Sequence, residues 1–157
     1  MTTERSKALQ RYDIVKAAHQ WLGTPYQHQA SLKGEGCDCL GLVRGVWRMV
    51  VGGEPQQTPI YSMDVGEVSG SELLADVADR WFVETAELKT GCMLLFRWHV
   101  NLPAKHLGIL VDEGDGDSNQ LPTFIHAQQG SGVCQARLGP AWQKRLFKKF
   151  EFPGVID

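Results

Sequence analysis

The sequence lacks the features that mark membrane-spanning, exported and fibrous proteins. No run of apolar residues approaches the roughly 20 that a membrane-spanning helix needs. Residues 1–20 are polar and charged throughout, so they contain no apolar core of a signal peptide. Internal repeats and low-complexity tracts are absent as well. We therefore expect a protein that is synthesised in the cytoplasm and has no membrane partner.

Cysteine is scarce, and its spacing excludes the common metal and disulfide frameworks. The four cysteines are Cys37, Cys39, Cys92 and Cys134, and no C-x-x-C pattern occurs among them. This usage fits a reducing compartment and predicts no cofactor, although zinc held by Cys37, Cys39 and a histidine stays an alternative. Cys92 and Cys134 each lie in an apolar run and are predicted to be small core residues.

Net charge is also small. Sixteen basic and eighteen acidic residues leave a formal charge of −2, which argues against a nucleic-acid partner. The charges are unevenly spread, because residues 118–150 hold five bases and no acid. These bases form either an ordinary solvated face or a basic rim that attracts an anionic polymer.

The apolar content is sufficient for one folded domain over residues 1–157. Hydrophobic residues make up 43% of the chain and charged residues 22%, as in globular proteins with a real core. Apolar spacing predicts helices over residues 5–22, 38–51 and 69 or 71 to 81, with loops over 27–36 and 52–70. Short apolar runs predict strands over 92–97, 107–111, 123–127, 133–137 and 147–152, and a helical turn over 141–146. Helices followed by an antiparallel sheet make an α+β domain.

Cys39 is the first candidate for chemistry. If Asp38 caps the second helix, Cys39 is its first residue, and its sulfur lies near backbone amides that have no helical partner. These amides and the helix dipole favour the thiolate, whereas the charge of Asp38 opposes it. Gly41 would leave room for a substrate backbone. A cysteine in this position is either a reactive thiol or a core residue.

A thiol nucleophile needs a base, and two of the five histidines lie in predicted strands. His106 opens the strand over 107–111, where its side chain can point off the sheet into a cleft. His126 lies inside a neighbouring apolar strand and would need a hydrogen-bond partner there. The spacing therefore makes a cluster of Cys39, His106 and His126 a hypothesis. The remaining histidines, in the first helix and in loops, are predicted to be structural or solvated: His19, His28 and His99.

Several blocks of the sequence resemble the NlpC/P60 family of papain-like cysteine peptidases. The strings Gly23-Thr24-Pro25-Tyr26 and Asp38-Cys39-Leu40-Gly41-Leu42-Val43 are similar to the hallmark of this family. His106-Leu107-Gly108-Ile109 resembles its second block, and Phe124-Ile125-His126-Ala127 resembles its third. The blocks follow the family order from about residue 11 to residue 152. The resemblance is greatest to the cell-wall peptidases of phage tails and gene transfer agents.

This resemblance implies a role for each matching residue. Cys39 would be the nucleophile, His106 the general base and then acid, and His126 the residue that orients His106. Tyr26 would line the site and help to hold the oxyanion, and Asp38 would lie beside the substrate. The implied reaction is hydrolysis of an amide bond in peptidoglycan stem peptides, typically between D-glutamate and a diamino acid, without a cofactor or metal. The implied partners are those stem peptides and, for the tail-borne members, phage or gene-transfer-agent tail proteins.

The sequence departs from the family pattern at several positions. Leu40 replaces a frequent serine, and residues 27–30 replace the usual paired glycines after the tyrosine, which leaves substrate preference open. A disulfide between Cys37 and Cys39 would block catalysis. Two other functions also stay open: a thiol acyltransferase on the same scaffold, and a non-catalytic tail or hub component that only binds.

Overall fold

The computed structural model describes residues 8–55, 73–117 and 119–157. These residues form four helices, which are α1 (Arg11–His19), α2 (Cys39–Val50), α3 (Leu73–Trp81) and α4 (Pro140–Arg145). They also form ten strands, which are β1 (Leu9–Gln10), β2 (Ser31–Leu32), β3 (Gly36–Cys37), β4 (Val83–Thr85), β5 (Met93–Phe96), β6 (His106–Asp112), β7 (Thr123–Gln128), β8 (Gly132–Arg137), β9 (Leu146–Glu151) and β10 (Val155–Ile156).

One antiparallel sheet of six strands dominates the second half of the chain. Its strand order is β4-β9-β5-β6-β7-β8, and every neighbouring pair is antiparallel. Helices α1 and α2 pack on each other and on β6. The α+β architecture expected from the sequence is therefore confirmed.

Helix α2 is the buried element on which the site is built. Its apolar residues occupy most of its circumference, and Leu42, Val43 and Val46 are almost fully buried. Such a helix is stable only when other elements cover several of its faces. The first helix, the sheet and Trp21 supply this cover, and Trp21 packs against Gly45, where a side chain would overlap its ring.

The two faces of the sheet bury different side chains because neighbouring residues of a strand point to opposite sides. Leu107 and Ile109 of β6 join the large core under the helices. Leu110 of the same strand and Phe124 of β7 join a smaller core on the other face, with Phe96. His106 and His126 share this second face, since they lie an even number of residues from Leu110 and Phe124.

Several sequence predictions need correction. The first helix begins at Arg11 because residues 9 and 10 form a strand parallel to β10. The predicted loop over 27–36 contains β2 and the start of its partner β3. Strands β4 and β10 were not predicted. Two stretches that carried predictions lie outside the described residues. They are the part of the predicted first helix that precedes residue 8, and residues 56–72 of the predicted loop and third helix.

The cysteines are all free, and only some are buried. Cys92 lies in the core as predicted, whereas Cys134 is partly exposed on β8, so its prediction as a core residue was wrong. Within the described ranges, no group of three or more His, Cys, Asp or Glu side chains could hold a metal ion. No helix in the same ranges combines the length and apolarity needed to cross a bilayer.

Gly41 is predicted to tolerate no side chain. A Cβ at this position would overlap the carbonyl oxygen of Ala30, so the space is filled by the protein and not left for a substrate. We expect Gly41→Ala to lower the free energy of unfolding in urea by about 3 kcal/mol. Gly53→Ala is the matched control, because a Cβ there meets nothing within 4 Å, and it should stay within about 0.5 kcal/mol of the original chain. Equal stability of the two variants would contradict the packing described here.

Candidate active site

Asp38 fixes the start of helix α2. Its backbone is extended, and its Oδ1 accepts a hydrogen bond of 2.7 Å from the amide of Gly41, as expected of an N-cap. Its Oδ2 accepts a second bond of 2.7 Å from the amide of Gln29. The side chain is 1% exposed and does not line the cleft. The structure thus places Asp38 as a buried cap, not beside a substrate as the resemblance implied.

The two strand histidines form a hydrogen-bonded pair. His106 is the first residue of β6, and His126 lies on the adjacent strand β7. Nε2 of His106 and Nδ1 of His126 are 2.8 Å apart, and the two rings are nearly perpendicular. His126 is 1% exposed, so it supports His106 from within the protein.

Cys39 and His106 open into the same cleft. The Cys39 sulfur lies 3.9 Å from the carbonyl oxygen of Lys105, the residue that precedes His106. The cleft has a volume of about 320 Å³ and is lined by Tyr26, Cys39, Trp98, Lys105, His106, Ala127, Gln128, Gln129 and Trp142. The structure therefore brings together Cys39, His106 and Tyr26 at the surface of the cleft, with His126 behind His106.

Burial disfavours the charged forms of both reacting groups. It raises the pKa of the Cys39 thiol well above its ordinary value, and the charge of Asp38 acts in the same direction. The amides of Leu107, Leu40 and Cys39 lower this pKa but do not outweigh burial. Burial, with a smaller effect of His126, lowers the pKa of His106 to about 3. Burial therefore opposes the thiolate that the helix terminus favours, and in this it acts together with the charge of Asp38.

Aromatic rings enclose the histidine pair, and sequence reasoning had not predicted them. The rings of Trp98 and Trp142 each lie 5.7 Å from the ring of His106 and within 30° of parallel to it. Phe96, which lies on the adjacent strand β5, also approaches the ring of His106. Nothing in the sequence marked the position of Trp142 in the site. Trp98 adjoins His99, which had been predicted to be a loop residue.

The other histidines lie away from the lining of the cleft. His19 is bonded through Nδ1 to the carbonyl oxygen of Val15 in its own helix. Nδ1 of His99 accepts from the amide of Asn101 within a loop. His28 is nearest to the site, with Nδ1 at 3.8 Å from Oδ2 of Asp38.

The buried histidine pair should make the fold sensitive to acid. Burial lowers the pKa of His126 from 6.5 to about 4, and that of His106 further still. The unfolded chain therefore binds more protons than the folded chain below pH 6.5, so acid favours unfolding. Above pH 6.5 the pair should not change the free energy of unfolding, measured in urea. Below pH 6.5 this free energy should fall as the pH drops towards about 4.

A variant separates this effect from general acid unfolding. His126→Leu should flatten the pH dependence between pH 6.5 and 4, whereas His19→Gln, at the end of α1, should leave it unchanged. An unchanged pH dependence in His126→Leu would contradict the assignment to the pair.

A cysteine at the start of a buried helix, facing a histidine on an antiparallel sheet, is the arrangement of a papain-like α+β protein. Residues 23–151 match the model of the NlpC/P60 family. The chain therefore belongs to the NlpC/P60 family. No curated protein matches it.

Two solved structures share this fold at low sequence identity. The NlpC/p60 domain of the peptidoglycan hydrolase SagA is 19% identical, with a TM-score of 0.55, over 90% of this chain and 98% of that domain. A protein described as similar to lipoprotein, of the NLP/P60 family, from Staphylococcus aureus subsp. aureus Mu50 is 16% identical, with a TM-score of 0.60. That match covers 99% of this chain and 46% of the other, so this chain spans less than half of its length.

Proposed function

We propose that this protein hydrolyses an amide bond in peptidoglycan stem peptides, with Cys39 as the nucleophile. The observation that carries the proposal is the shared cleft of Cys39 and His106 in a chain of the NlpC/P60 family. Members of this family are generally cysteine peptidases or peptidoglycan hydrolases. The structural similarity to the NlpC/p60 domain of SagA, which is described as a peptidoglycan hydrolase, supports the same substrate class.

His106 moves the protons of the proposed reaction. It takes the thiol proton as the sulfur attacks the carbonyl carbon. The C–N bond of the tetrahedral intermediate then breaks, and the imidazolium returns the proton to the leaving amine. Water attacks the thioester with His106 again as base, and the released carboxyl group leaves Cys39 as a thiol.

The histidine hydrogen bond selects the tautomer that this chemistry requires. Nε2 of His106 is occupied by His126, so Nδ1 is the nitrogen left for the thiol proton. His106 must then carry its resting proton on Nε2 and donate it to Nδ1 of His126. The proton of His126 accordingly lies on its Nε2, which is buried and has no hydrogen-bond partner among the described residues.

The oxyanion would be held at the start of helix α2. The backbone amide of Cys39 lies at this terminus, where amides have no helical acceptor. Burial, with a smaller effect of Cys39, raises the pKa of Tyr26 to about 12. Its hydroxyl therefore stays protonated at neutral pH and can donate to a developing negative charge.

Mass spectrometry of muropeptides incubated with the protein tests the proposal directly. Hydrolysis should yield two fragments whose combined mass exceeds that of the substrate by one water, with the new ends at the scissile amide. We expect that amide to join D-glutamate to the diamino acid. Addition of a primary amine acceptor identifies a thiol acyltransferase, which would transfer the acyl group to the amine in preference to water. Unchanged muropeptides under all conditions would refute both enzymatic activities and favour a binding component.

The proposed cellular setting follows from the sequence resemblance. Association with the tail of a phage or gene transfer agent would bring a chain made in the cytoplasm to the cell wall. Neither solved structure described above is named as a tail protein, so this part of the proposal rests on the resemblance of the sequence blocks.

A further inference from the structure

Arg145 packs against two aromatic residues that line the cleft. Its guanidinium carbon is 5.0 Å from the ring centre of Trp98 and 5.5 Å from that of Trp142. Both tryptophans line the cleft and stack on His106. The guanidinium therefore packs against the same two rings that stack on His106.

This position leaves the hydrogen-bonding edge of Arg145 available. A guanidinium that stacks on a ring uses its flat face, whereas its five N–H donors project from the edge. No carboxylate among the described residues pairs with Arg145. By contrast, Arg11 forms two hydrogen bonds with Glu151, and Arg44 forms two with Glu54. The paired N–H donors with which a guanidinium usually binds a carboxylate (its fork) are therefore engaged in Arg11 and Arg44 but not in Arg145.

The lining of the cleft has the polarity that suits an anionic ligand. Lys105 contributes a cation, and Gln128 and Gln129 contribute neutral amides. None of the described residues that line the cleft is an acid. A carboxylate that enters this cleft therefore meets hydrogen-bond donors and a positive charge on the described part of its walls.

We propose that Arg145 binds a carboxylate of the peptide next to the scissile amide and so determines which stem peptides are accepted. This inference rests on the proposed function and narrows its substrate. The chemical class is a peptide with a free carboxylate on the glutamyl residue, as opposed to one in which that carboxylate is amidated. Arg145 is then a specificity residue, because it holds the substrate beside Cys39 and His106 and takes no part in proton transfer.

Two synthetic stem peptides that differ only at the glutamyl α-carboxyl group test this inference. One carries the free carboxylate and the other the primary amide. Arg145→Gln should lower kcat/KM for the carboxylate peptide by roughly 10-fold to 100-fold, since a charged hydrogen-bonded partner is lost. For the amide peptide, kcat/KM should fall by less than about twofold, because this peptide offers no charge to pair with an arginine.

Two further variants control this measurement. Lys144→Gln removes the same charge from the neighbouring, exposed position of α4 and should leave both peptides unaffected. Arg145→Lys keeps the charge but not the fork, so it should restore only part of the activity towards the carboxylate peptide. Equal losses on both peptides in Arg145→Gln would overturn the proposal and assign Arg145 a purely structural role.

Alkylation of Cys39 tests the inference even if no peptide is hydrolysed. Iodoacetate and iodoacetamide attack the same sulfur, but only iodoacetate carries a carboxylate. In Arg145→Gln the ratio of their rate constants, iodoacetate over iodoacetamide, should fall several-fold, whereas Lys144→Gln should keep the original ratio. An unchanged ratio in Arg145→Gln would overturn the carboxylate site independently of the proposed hydrolysis.

Discussion

Replacing Cys39 by alanine is expected to lower kcat/KM for stem-peptide hydrolysis by on the order of 10⁴-fold or more. The loss is large because the acyl-enzyme forms on this sulfur, and no other cysteine, serine or threonine lines the cleft among the residues that the structure describes. The substitution removes one atom from a partly exposed residue, so the fold should be retained. The rate of appearance of the two peptide fragments, measured by chromatography, gives the effect.

A second cysteine provides the control. Cys134 is also partly exposed, but it lies on β8 and does not line the cleft. Cys134→Ala should therefore hydrolyse stem peptides at the original rate. Full activity in Cys39→Ala would rule out the thiol mechanism, whatever the behaviour of the control.

Replacing His106 by alanine is expected to lower kcat/KM by roughly 10²-fold to 10⁴-fold, the usual contribution of a positioned acid or base. The loss follows because burial opposes the thiolate of Cys39, so the thiol needs an acceptor for its proton during attack. Hydrolysis rates over a range of pH measure the effect. Activity of the variant should recover in part at high pH, where solvent removes the proton, because the pKa of Cys39 lies far above neutrality.

Variants of the partner histidine distinguish positioning from proton transfer. His126→Leu should cause a smaller loss than His106→Ala, since it removes only the acceptor that fixes the His106 tautomer. His126→Asn keeps an acceptor oxygen and should recover part of that loss. His99→Ala, in the loop that precedes β6, is the control and should be fully active. A loss in His126→Leu equal to that in His106→Ala would contradict the supporting role of His126.

The sequence was sufficient to predict the elements that have a clear periodic pattern. Helix α2 was recognised from its cap at Asp38 and its apolar residues, and strands β6 and β7 from the short apolar runs over 107–111 and 123–127. These three elements carry Cys39, His106 and His126. The core of the site was therefore predictable, because local patterns positioned each residue and the family resemblance joined them.

The elements that sequence reasoning missed are too short to show a pattern. Strands β1, β2, β3 and β10 have two residues each, and their pairing depends on partners that are distant in the chain. Cys134 is partly exposed on β8, whereas its neighbour Val133 on the same strand is buried, and an apolar run alone does not reveal this difference.

The electrostatics and the rim of the site depend on tertiary contacts. The helix terminus favoured a thiolate in Cys39, but burial by the surrounding protein has the larger effect. Trp98 and Arg145 are 47 positions apart and meet beside the pairing of β5 with β9, where the backbone amide of Arg97 donates to the carbonyl oxygen of Arg145. No local pattern in the sequence predicts such a contact.

The pairing of β1 with β10 has a mechanical consequence. These strands are parallel, so tension that draws Leu9 and Val155 outwards along the chain slides one strand past the other. In this shear geometry the inter-strand hydrogen bonds bear the load together instead of breaking one after another. Arg11, which follows β1 directly, adds its ion pairs with Glu151 and Asp157 to the same junction. We therefore expect this junction to resist a pulling force that is applied between the two ends of the described chain.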